Sequence, residues 1–177
     1  MNVVYHGSSN SNLEIIKSHK STHKLDCIYA TDNIVVALLF ICDSNGDLDT
    51  RVSSVNGKLE LVERREGVLK SLYDRDGYIY VLDGSTFSHY DYLWSKEVIS
   101  FEKELKPVEK IYIKNVLDSI FEEEKKGNIK IYRYPDRPKD VPLDNSDLID
   151  KFIGFGAVDD LLKIYPEFSD IVKKRMK

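Results

Sequence analysis

The chain has 177 residues, 42% of them hydrophobic and 32% charged, with a net charge of −4 at neutral pH. That length and balance describe a globular chain of one domain, or one domain with a small appendage, able to bury a core. The acidic balance argues against nucleic-acid binding by bulk attraction. The two cysteines, Cys27 and Cys42, fit neither a disulfide framework nor zinc-ligand spacing and favour a reducing compartment.

The first elements lie within residues 3–42. Val3-Val4-Tyr5-His6 predicts a short strand, broken by the small polar run that begins at Gly7-Ser8. His6 is expected at the strand's end, beside a loop whose backbone lets a ligand approach. Residues 13–18 predict a short helix capped by Asn12, with Leu13 and Ile16 packed on the first strand. His19 and His23 stand four apart in a polar stretch with no apolar period, which predicts a solvated loop and no metal site. Cys27 to Thr31 predicts a second strand, and 33–40 a buried helix capped by Thr31 or Asp32. The longest apolar run, Ile34 to Cys42, falls short of the ~20 residues of a membrane helix. No basic-then-apolar leader pattern opens the chain, so the expectation is a cytoplasmic protein with no membrane partner. Asp43 to Asp47 superficially suits calcium, but Ser54 stands where that loop needs its twelfth-position glutamate.

The middle of the chain alternates strands and short helices. Arg51 to Arg64 predicts a hairpin around Asn56-Gly57, followed by a short helix over 66–73. Tyr78 to Leu82 predicts a strand. Residues 85–95 are dense in rings and hydroxyls, which suits either a core or a cleft for a flat heterocycle. A strand over 95–101 puts Glu97 on the same face as Ile99 and Phe101, and a carboxylate among apolar neighbours needs a reason. Glu102 and Glu104 are rivals to it in what looks like a solvated turn. A strand over 108–113 and an amphipathic helix over 115–126 follow, and Gly127 stops the helix. Residues 128–134 alternate as an edge strand. Pro135, Pro138 and Pro142 mark 135–142 as a linker. From Asn145 onward the pattern is helical, with a basic end that suits a helix C-terminus. The expected organisation is α+β: a domain over 1–134, the linker, and a helical appendage over 143–177 that offers a surface for a possible protein partner.

The chemistry-bearing parts are a histidine beside Gly-Ser, an aromatic pair around a strand-helix junction, and one strand carboxylate. They suit gripping a nucleotide and steadying a developing positive charge. No Gly-x-Ser-x-Gly elbow, P-loop or Gly-x-Gly-x-x-Gly run is present, so acyl and phosphoryl transfer are not indicated.

Tyr5-His6-Gly7-Ser8, Tyr29-Ala30-Thr31-Asp32-Asn33 and Ala37 together resemble the NAD-gripping half of the ADP-ribosyltransferase fold. The resemblance is to its histidine-tyrosine-glutamate branch, which holds the diphtheria-toxin-like enzymes and the poly(ADP-ribose) polymerases. It is clear over roughly the first forty residues and fades by about residue 115. It implies a split β-sheet core and NAD as co-substrate, with no metal. His6, Gly7, Ser8 and Thr31 would bind NAD, and Tyr29 and Phe40 would sandwich the nicotinamide. Glu97, with His6 and Tyr29, would be catalytic. Phe40 stands where the family usually has a second tyrosine, and the glycine that often precedes the strand tyrosine is missing. The implied activity is ADP-ribose transfer from NAD to an acceptor, which can be a protein, a nucleic acid or a small molecule. An inactive binding module of the same fold is one alternative. Another is an NAD-using RNA 2′-phosphotransferase, though the arginines such an enzyme needs are few here (Arg51, Arg64, Arg65, Arg75).

Overall fold

A computed structural model describes residues 2–20, 25–42 and 46–177, and of Asp47 the backbone only. His23, of the histidine pair, and residues 43–45, of the acidic loop, lie outside the described residues. In chain order the elements are β1 (Val3–Ser8), β2 (Ile16–Lys17), β3 (His19–Lys20), β4 (Asp26–Ala30), α1 (Ile34–Leu39) and α2 (Gly46–Asp49). Then come β5 (Thr50–Val55), β6 (Lys58–Glu63), α3 (Val68–Tyr73), β7 (Gly77–Asp83), β8 (Val98–Ser100), β9 (Glu104–Leu105) and β10 (Glu109–Ile113). The remainder is α4 (Val116–Lys125), β11 (Ile129–Tyr132), α5 (Asp147–Phe155), α6 (Val158–Ile164) and α7 (Ser169–Arg175). The α+β class is as expected. The chain divides into two compact units, Met1–Asp43 with Leu69–Ile129, and Ser44–Val68 with Lys130–Lys177. This division differs from the expected 1–134 and 143–177 in grouping the central hairpin with the C-terminal helices.

The first unit carries two three-stranded ladders, β1-β7-β10 and β3-β4-β8, and a small β2-β9 pair. β7 is central to its ladder because Gly77–Asp83 is apolar on both faces and pairs antiparallel on both sides. The two ladders meet at one bridge. Tyr5 N–H donates to the Thr31 carbonyl at 2.8 Å, and Thr31 N–H donates back at 2.9 Å. Val4, Ile16, Ile28, Ala30, Tyr80, Leu82, Phe87 and Val98 form one buried cluster beneath them, with Leu13 packed against it.

Three local expectations change here. β1 does not end at His6, because Gly7 and Ser8 go on pairing with Ile79 and Tyr78. Residues 13–18 are not a helix. Ile16 and Lys17 pair instead with Leu105 and Glu104, and Ser18 N–H donates to the Lys103 carbonyl at 2.9 Å. The cap of α1 is Asn33, whose side chain accepts from Val35 N–H at 2.9 Å and Val36 N–H at 3.4 Å. Thr31 is already committed to the bridge, and its hydroxyl accepts from Asn33 N–H at 3.1 Å.

The second unit is the ladder β11-β6-β5 with α2 and α5 to α7. Asn56 and Gly57, at φ of 51° and 80°, make the tight hairpin turn. Leu48, Leu148, Ile149, Phe152, Leu161, Tyr165, Phe168 and Val172 form its core. The expected linker is packed within this unit: Val141 is buried, and the Arg137 guanidinium donates to the Pro142 carbonyl at 2.7 Å and the Arg64 carbonyl at 2.5 Å. Buried Arg64 forms a two-pronged pair with Asp147, at 2.9 and 2.7 Å.

Candidate functional site

The residues singled out in the sequence lie in the first unit, where His6, Tyr29 and Thr31 stand at or beside the Tyr5–Thr31 bridge. His6 follows Tyr5 on β1. Its Nδ1 lies 2.9 Å from the backbone carbonyl of Tyr29 on β4. A carbonyl only accepts, so Nδ1 carries the proton, and in the neutral ring Nε2 is left as an acceptor. Burial pushes the His6 pKa below its ordinary value, against the Tyr29 carbonyl, which raises it, while the charge of His19 lowers it further. The neutral Nδ1–H form is therefore held by both position and environment.

Tyr29 is half-buried and packs beside Cys27, Leu93 and Ile99. Its ring lies 6.1 Å from that of His19, at 47°. His19 is in a short strand rather than a loop, paired with Cys27. Glu97 precedes β8, and its N–H donates to the Trp94 carbonyl at 2.8 Å. The expected strand over 95–101 is thus shorter, Val98–Ser100. Tyr29 pairs with Ile99, so the two share a face, and the ladder stops at Val98 opposite Ala30, directly after Glu97. Its rivals stand elsewhere: Glu102 is exposed after the strand, and Glu104 pairs with Lys17 in the β2-β9 ladder.

The other expected residues have clear local roles. A Cβ on Gly7 would run into the carbonyl oxygen of Ala37, so the missing side chain lets the backbone of α1 lie directly against β1. That contact, rather than an open loop, accounts for the glycine. Ser8 Oγ accepts from Asn10 N–H at 3.1 Å. Thr31 is fully buried and holds the strand-helix junction. Phe40 caps the C-terminus of α1 and is 37% exposed, so its ring is available for stacking.

A cavity of about 520 Å³ opens elsewhere in this unit, floored by Tyr80 and walled by Ser11, Asn12, Lys106 and Lys110. His6, Tyr29, Phe40 and Glu97 are not among its lining residues. No sequence pattern drew attention to it, because its walls are separated by nearly a hundred residues. Among the described residues no group of three or more His, Cys, Asp or Glu side chains converges as a metal site. No helix among them is long and apolar enough to cross a membrane. Comparison of the chain with family models, curated proteins and solved structures finds no match.

Proposed function

We propose that this chain is an NAD-dependent mono-ADP-ribosyltransferase on an ADP-ribosyltransferase-like split sheet. The observation that carries the reading is the His6 Nδ1–Tyr29 carbonyl bond, which ties the histidine strand to the tyrosine strand and leaves Nε2 an acceptor. A neutral imidazole acceptor suits a ribose hydroxyl donor. Glu97, directly before the strand that pairs with that of Tyr29, suits the other end of the same substrate. The chemistry is scission of the bond between ribose C1′ and the nicotinamide nitrogen. The electron pair leaves with nicotinamide, which becomes neutral, and positive charge develops on the ribose. A preorganised carboxylate lowers the cost of that charge. The acceptor nucleophile then bonds to C1′ and gives up its proton, with Glu97 the candidate base. Tyr29 and Phe40 hold the nicotinamide ring flat, and His6 orients the ribose, which supplies rate through positioning.

The test is nicotinamide release from NAD by the purified chain, alone and with candidate acceptors. Glu97→Gln should lower turnover by roughly two orders of magnitude and leave NAD affinity within about tenfold. His6→Ala should abolish release by weakening NAD binding. NAD binding without release under any acceptor would favour the inactive binding module. Failure to bind NAD would refute the proposal.

A further inference from the structure

The ring-rich run over 85–95 is divided by the fold. Phe87 and Leu93 are buried, in separate apolar clusters. Tyr92 is 55% exposed, and Phe101, just past β8, is 56% exposed. Both lie against Tyr90. The Tyr90 and Tyr92 centroids are 5.5 Å apart at 34°, and Phe101 meets Tyr90 edge-on at 5.8 Å. Tyr90 and Tyr29 in turn pack against the same buried cluster, Cys27, Leu93 and Ile99. The backbone fixes this arrangement. Ile99 pairs with Tyr29 on one side. On the other, Ser88 N–H donates to the Ile99 carbonyl at 3.0 Å, and Ile99 N–H donates back at 3.1 Å. The segment carrying Tyr90 and Tyr92 is therefore tied to the strand that pairs with that of Tyr29. The four rings make one strip, which opens to solvent at Tyr92 and Phe101. Of the four, only Tyr29 has a part in the chemistry above.

Exposed apolar rings set side by side mark a binding surface. Size and charge select its occupant. An aromatic side chain presents about 150–250 Å², so the accessible parts of these four come to about 300 Å². That is well under half of the ~800 Å² per partner of a standard protein interface, and it suits one planar ligand stacked on one or two rings. The charged side chains from residue 89 to residue 103, histidine aside, are Asp91, Lys96, Glu97, Glu102 and Lys103, three acidic and two basic. Asp32 adds a carboxylate 3.7 Å from His89. A nucleic-acid strand needs a basic track for its phosphates beside the stacking rings, and this mixture supplies none.

We infer that the strip is the acceptor subsite, and that the acceptor is a free planar heterocycle of nucleoside size, stacked on Tyr90, Tyr92 and Phe101. This rests on the NAD reading above and supplies its missing substrate class. An N–H or O–H group of the heterocycle attacks ribose C1′ with its lone pair. The bond to nicotinamide breaks, its electron pair leaves with nicotinamide, and the acceptor's proton passes to Glu97. The test uses the full chain with NAD and three kinds of acceptor: free nucleosides, agmatine as an aliphatic one, and single-stranded oligonucleotides. Nicotinamide release gives the rate, and mass spectrometry identifies the adduct. A nucleoside should accelerate release and receive ADP-ribose, and agmatine should do neither. Tyr92→Ala/Phe101→Ala should raise KM for the nucleoside about five- to a hundredfold and leave KM for NAD unchanged. Tyr92→Phe/Phe101→Tyr keeps both rings and should stay within about threefold of the parent. If NAD is cleaved but no nucleoside accepts, or only oligonucleotides do, or the double alanine variant keeps the parent's nucleoside KM, this inference fails and the NAD reading stands. If the parent does not bind NAD, both fail.

Discussion

Gly7→Ala isolates the close approach that seats α1 on β1. The added Cβ would overlap the Ala37 carbonyl oxygen and lie 3.0 Å from the Ala37 carbonyl carbon and 3.1 Å from Ile41 Cγ1. The first two neighbours are backbone, so no rotamer change relieves them, and α1 as a whole has to shift. Overpacking that side chains can absorb costs about 1–3 kcal/mol, and a displaced helix belongs at the upper end, about 3 kcal/mol. For a chain of this size that lowers the melting midpoint by roughly 6–12 °C. Gly77→Ala is the internal control. The three atoms nearest its Cβ would all belong to the side chain of Ile41, chiefly Cγ2. Its cost should be smaller, about 1–2 kcal/mol, and largely relieved when Ile41→Ala is added. The same second change should not relieve Gly7→Ala. Urea denaturation of the three single variants, the two double variants and the parent gives both coupling energies. A Gly7→Ala protein within about 0.5 kcal/mol of the parent, or one rescued by Ile41→Ala, would refute the backbone-contact argument.

In the second unit, Asp147→Asn removes the carboxylate that pairs with Arg64, a guanidinium only 2% exposed. Breaking a fully buried pair costs 3–5 kcal/mol; because Asp147 is a third exposed, about 2–3 kcal/mol is expected, read by urea denaturation and by faster amide exchange in α5 to α7. Asn33→Ala should cost about 1 kcal/mol through loss of the α1 cap, while Asp32→Ala should be nearly neutral, both measured by thermal melts. His6, with its pKa lowered by burial, disfavours the folded state once protonated. The unfolded chain then binds more protons between the folded value and about 6.5, so this contribution is whole above pH 6.5 and is lost as pH falls through the folded value. His6→Asn can keep a donor to the Tyr29 carbonyl and does not titrate. The stability of the parent relative to this variant should decline below pH 6.5, and a constant difference from pH 7.5 to 5 would contradict the assignment.

What could be read from the residues alone was what neighbours along the chain decide. The Asn56-Gly57 turn, the helix from the Asn115 cap to Gly127, and the C-terminal helical stripes were all legible, because turn, cap and periodicity act within a few residues. The strands bearing His6 and Tyr29 were legible for the same reason. Pairing across long separations was not. Residues 13–18 have helical spacing, yet Ile16 is held as strand by Leu105, a partner that no local pattern announces. Thr31 looked like a cap until its backbone was spent on Tyr5, which passed the capping to Asn33. Three prolines looked like a linker, but the Arg137 side chain between them is bound within a packed unit. The sequence alone determined which side chains carry the candidate chemistry, since a histidine, a tyrosine or a carboxylate keeps its reactivity wherever it stands. Only the tertiary structure decided which nitrogen of His6 holds the proton, why residue 7 lacks a side chain, and which rings share a cluster with Tyr29. Each of these depends on an atom contributed by a distant segment, and distance along the chain says nothing of distance in space.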